Sequence, residues 1–95
     1  MAEIMTLDGI IDDLHAIEPL LLQFEKKYKL LSTYFYKLYQ AGKLECDEDF
    51  QEWAALYEAK QNREQLFQNH LAEAISYMPL NKPVEARDLY EAVAG

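Results

Sequence analysis

LDGIIDDLHAIEPLLLQFEKKYKLLSTYFYKL, residues 7–38, decides the fold. Its apolar residues keep a heptad: Leu7, Ile10, Leu14, Ile17, Leu21, Phe24, Tyr28, Leu31, Phe35 and Leu38 fill ten consecutive a and d positions without a slip. Residues spaced alternately three and four apart share one helical face, so the run predicts a helix with an unbroken apolar stripe. Thr6 is placed to cap its start, and Asp8 follows in the first turn, where the helix dipole favours an acid. Pro19 removes one backbone hydrogen bond and crowds the preceding turn. It falls on the outer face, however, and the heptad passes it unshifted, which predicts a kink within one continuous track. Gly42 ends that track, with Lys37 and Lys43 near the helix's negative end.

A second helix starts at Asp47 or Asp49; Asp49 and Glu52 have the spacing of a capping box. Its seam reads Phe50, Trp53, Tyr57, Lys60, Glu64, Phe67, Leu71, Ala74 and Met78, and Pro79 closes it. Asn81-Lys82-Pro83 is a turn, and Pro83 suits the first position of a last short helix over 83–94. Folding the two tracks back at the 42–47 turn pairs seam positions whose numbers sum to 88. Leu38 then meets Phe50, Phe35 meets Trp53, Leu31 meets Tyr57, Leu21 meets Phe67, Ile17 meets Leu71 and Leu14 meets Ala74. Tyr28 falls opposite Lys60 and Phe24 opposite Glu64, so Tyr28, Lys60 and Glu64 are expected to form a satisfied polar layer that fixes register. Residues 1–95 thus read as one all-α domain: an antiparallel helical hairpin, kinked at Pro19, plus a short C-terminal helix. Arms of about 35 residues reach roughly 50 Å, whereas a compact domain of this length has a radius of gyration near 12 Å. Two such helices cannot cover their own stripe, which predicts pairing into a bundle as a homodimer.

Composition narrows the function. Hydrophobic residues make up 51% of the chain, enough for a core, and the net charge is −8. An acidic chain is a poor match for nucleic acid or an anionic membrane and a good one for a basic protein partner. The charge is also segregated. Residues 1–25 hold six acids and no Lys or Arg, residues 26–43 five Lys and no acid, residues 44–58 six acids and no base. Cys46 is the single cysteine, no signal-peptide pattern opens the sequence, and Leu20-Leu21-Leu22 is far too short to cross a membrane. A cytoplasmic setting is expected.

No constellation for catalysis stands out. Asp12, His15 and Glu18 share a helical face with the spacing of carboxylate-bridged metal sites, but such sites need paired motifs, and the only other histidine is His70, followed by Glu73. The acids from Glu45 to Asp49 lack the glycine at the sixth position that a calcium loop requires. Cys46 has acidic neighbours and no adjacent base, so a catalytic cysteine is not expected. Tyr34, Tyr36 and Tyr39, interleaved with lysines, lie outside the seam; with Trp53 they are the candidate protein interface, since Tyr and Trp are enriched there.

Phe24-Glu25-Lys26-Lys27-Tyr28, Ser32, Phe35-Tyr36, Ala41-Gly42-Lys43-Leu44 and Asp49-Phe50-Gln51-Glu52-Trp53 together resemble a family of small bacterial proteins encoded beside putative toxins and proposed as antitoxins. The most specific part is Asp-Phe-x-Glu-Trp after a Gly-containing turn. The chain departs at Lys29, where Gly is expected after the Tyr, and from Met78 onward. The resemblance implies sequestration of a toxin. The expectation is therefore a non-catalytic interaction module without cofactor or metal, antitoxin-like and holding a basic partner. Its competitor is a helical bundle that binds a metal or small ligand through His15, His70 and nearby carboxylates.

Overall fold

The computed structural model describes residues 5–85 and 87–89. It is all-α: α1 (Leu7–Tyr28), α2 (Ser32–Gln40), α3 (Glu48–Asn69) and α4 (Leu71–Ser76). The long pair α1 and α3 forms the hairpin, and the short α2 joins them and packs on α3. Thr6 caps α1 as expected, its hydroxyl accepting from the Gly9 amide at 3.0 Å. Asp47 starts α3, its carboxylate accepting from the Asp49 amide at 2.8 Å. Of the helix expected over 83–94, residues 83–85 are not helical and 87–89 are; residues 86 and 90–94 lie outside the described residues.

Two breaks differ from the expectation, and both have a physical cause. The first track is interrupted not at Pro19, which α1 passes as continuous helix, but at Lys29. Pro19 is exposed and its ring faces away from the hairpin. Lys29 takes up left-handed backbone, φ 56° and ψ 42°, and its amide closes on the Glu25 carbonyl. The Leu30 amide also donates to Glu25 O, at 3.2 Å. Gly adopts such backbone freely, whereas the Cβ of a lysine crowds the neighbouring carbonyl there. The second break is at His70, φ −105° and ψ 11°, which splits the expected second helix into α3 and α4.

The break at Lys29 resets the register. Phe35 of α2 does stack on Trp53, with ring centroids 3.8 Å apart and planes within 5°. Beyond the break, α1 is displaced along α3 by about eleven residues, close to three turns at 3.6 residues per turn, so the same apolar stripe still faces α3. Tyr28 packs on Phe50 and Trp53 rather than Lys60, and Phe24 stacks near Trp53 rather than Glu64. Leu21 joins the core with Phe35, Trp53 and Ala54 instead of meeting Phe67. Leu31 and Leu38, expected on Tyr57 and Phe50, are exposed. The molecule remains elongated, with a radius of gyration of 16.4 Å and a long dimension of 50 Å.

Candidate partner-binding surface

Trp53 is the centre of the core, 0% exposed, and side chains from three helices converge on it. Phe24 and Tyr28 of α1 lie nearly parallel to its ring at 5.6 and 5.7 Å, while Phe35 of α2 stacks closer. A buried indole N–H needs a partner. It donates to Ser32 Oγ at 2.8 Å, and that hydroxyl donates to Glu25 Oε2 at 2.7 Å. The same carboxylate oxygen accepts from the Ser32 amide at 2.8 Å. Leu31 has no side chain able to cap α2, so Glu25 of α1 does that from the preceding helix, where the α2 dipole favours an anion.

A second polar junction lies beside it. Asp49 Oδ2 accepts from the Tyr28 hydroxyl at 2.6 Å and from Lys27 Nζ at 2.5 Å. These two hydrogen bonds, Lys27 first, hold the Asp49 carboxyl below its usual range. In turn, the bond to Asp49 raises both the Lys27 ammonium and the Tyr28 hydroxyl above their usual values. Further along, Arg63 Nε donates to Asp13 at 2.8 Å and pins the same slipped register.

The expected site residues divide accordingly. The polar layer of Tyr28, Lys60 and Glu64 does not form: Tyr28 is taken by Asp49, Glu64 is exposed, and half-buried Lys60 lies near Glu18, Leu21 and Glu25. Trp53 is core and cannot contribute to an interface of the folded chain. Tyr36 is half-buried; its hydroxyl donates to Glu58 at 2.6 Å, which raises its pKa, and its ring packs on Tyr57. Tyr39 is only partly free, because its ring packs against Phe35 and Tyr36. Tyr34 is 56% exposed and shares one face of α2 with Leu31, 60% exposed, and Leu38, 40% exposed. Tyr34 was expected outside the seam and is exposed; the exposure of Leu31 and Leu38 was not expected, because the unbroken heptad assigned them to the core.

A groove runs between α1 and α3 away from the Trp53 junction. Its middle section, about 350 Å³, is floored by Ile11, Leu14 and Phe67, with His15, Glu18 and Glu64 along it. Ile11 and Phe67 also line the next section, of about 470 Å³, together with Asp8, Glu73 and Tyr77. Glu18 also lines the section at the other end, about 280 Å³, with Leu22, Glu25 and Lys60. The shared residues make these one continuous trough with an apolar floor. Its charged walls are acidic except for Lys60.

His15 lies in this trough, whereas His70 caps the end of α3 and approaches Glu73 at 3.2 Å. Among the described residues no group of three or more His, Cys, Asp or Glu side chains is placed to hold a metal ion. No helix among them is long and apolar enough to cross a membrane. Comparison with family models, with curated proteins and with solved structures finds no match.

Proposed function

We propose that the chain is a non-catalytic protein-interaction module that sequesters a basic protein partner in the manner of an antitoxin. One observation carries this reading: the acid-walled, apolar-floored trough between α1 and α3. Apolar floors supply affinity on burial, and a single sign of charge along the walls steers and selects an oppositely charged partner. The segregation of acids into residues 1–25 places Asp8, Glu18 and Glu25 on the α1 side of that trough. The cytoplasm is its proposed place of work, in keeping with a single, unpaired cysteine.

The same reading includes a homodimer joined through α2. Leu31, Tyr34 and Leu38 are spaced three and four apart and form one exposed stripe beside the buried Phe35. Large apolar side chains grouped in this way mark association surfaces.

Co-expression with the product of the adjacent gene tests the main reading. The two proteins are expected to co-purify, and the neighbour expressed alone is expected to arrest growth. Normal growth together with no co-purification would remove the antitoxin reading.

A further inference from the structure

We propose that the trough between α1 and α3 receives one amphipathic helix whose flanks carry Lys or Arg, which would make the partner the third helix of a bundle. The inference rests on the interaction-module reading and specifies where and how the partner binds. Two antiparallel helices cannot bury both of their stripes, and among the described residues a further helix packs across the pair at one end only. There α2 lies against α3, and Phe35 covers Trp53. At the other end Ile11, Leu14 and Phe67 have no helix of the described chain above them and line open space. A helix laid into such a groove presents its apolar side chains every three or four residues; on α1, Ile11 and Leu14 are three apart and Leu22 follows about two turns on.

Length and charge define the occupant. Trough-lining residues of α1 run from Leu7 to Glu25, which corresponds to about 27 Å, or roughly five turns of a docked helix. The acids that line it come from both walls: Asp8, Glu18 and Glu25 from α1, Glu64 and Glu73 from α3 and α4. A helix with an apolar stripe and basic residues on both edges matches the floor and both walls together. A second copy of this chain fits poorly, because the apolar stripe of its own α1 is flanked by acids.

The probe is a synthetic, fluorescein-labelled peptide of about 18 residues with Leu at the stripe positions and Lys and Arg on both edges. Fluorescence anisotropy measures its binding to the full chain. Saturable binding is expected, with a peptide of identical stripe and acidic edges at least about tenfold weaker. A scrambled peptide of the same composition, which breaks the stripe, is also expected to bind at least about tenfold more weakly. Glu18→Lys with Glu64→Lys is expected to lose about tenfold or more, and circular dichroism verifies that the variant is folded. Amide chemical shifts of the unmutated chain locate the peptide without any substitution, and the expected changes lie at 8–25 and 60–74. Equal binding of the scrambled peptide, or shift changes centred on Leu31, Tyr34 and Leu38, would overturn the proposal. So would self-association of the chain that the double variant abolishes, because the trough would then belong to a second copy. If the adjacent-gene product binds wild type and double variant equally, the trough is wrong and the interaction-module reading stands. That reading itself fails if this product does not bind wild type.

Discussion

Trp53 Nε1 donates a hydrogen bond to Ser32 Oγ at 2.8 Å across the junction of α3 and α2, with both residues buried. Because Ser32 passes a second bond to Glu25, one hydroxyl links three helices. Ser32→Ala leaves the indole N–H without its partner and takes one bond from the carboxylate. An expected loss of about 1–3 kcal/mol follows from stranding a buried donor. Chemical denaturation of Ser32→Ala, Trp53→Phe and the pair checks it. In the Trp53→Phe background the same serine substitution is expected to cost less, because no donor remains to be stranded.

Lys29 offers a gain in stability. It is the one described non-glycine residue with positive φ, at 56°. Lys29→Gly relieves the contact of its Cβ with the backbone at small entropic cost, and a rise of about 0.5–1 kcal/mol is expected. Urea denaturation should show a higher midpoint with an unchanged slope. A lower midpoint would mean that the lysine side chain holds the turn in a way its backbone does not reveal.

The Asp49 junction has a definite pH signature. The folded carboxyl is held below the unfolded value of 3.8, so its stabilising contribution is fully present above 3.8 and is lost as pH falls through the lower folded value. Lys27 and Tyr28 are raised above 10.5 and 10.0, so their contributions are present below those values and are lost as pH rises past them. Asp49→Asn is therefore expected to lower the melting temperature throughout the neutral range and to match wild type in strong acid. A constant difference at every pH would assign the effect to packing instead.

Light scattering after gel filtration tests the α2 stripe. The expected mass at micromolar concentration is twice the 11.1 kDa of one chain. Leu31→Ser with Leu38→Ser is expected to give a folded monomer, since both side chains are exposed in the single chain. Tyr36→Ala is a poor probe of association, because the Tyr36 hydroxyl is engaged by Glu58 within the chain.

Much of this fold was legible in the sequence. The heptad from Leu7, the Thr6 cap and the Phe35–Trp53 pairing all follow from spacing and residue type. The register of α1 did not follow, because a break at Lys29 leaves the heptad phase nearly intact: a slip of about eleven residues is close to three whole turns. Periodicity cannot distinguish the two arrangements. The turn was hidden because left-handed backbone falls on a lysine, a residue type that does not signal it. The Glu25–Ser32–Trp53 network was half legible, since a buried Trp requires an acceptor, but only the fold says that Ser32 is close. The trough was not legible. It exists because α2 stops short of covering the α1–α3 pair, and that is a property of helix lengths and register together.

Titration calorimetry of the chain with its adjacent-gene product at two salt concentrations asks whether the acidic trough holds a basic protein. The expected result is a saturable complex whose affinity falls at least about tenfold between roughly 50 and 300 mM NaCl, as screening weakens the charged walls. An affinity indifferent to salt, or no heat of binding at either concentration, would contradict it.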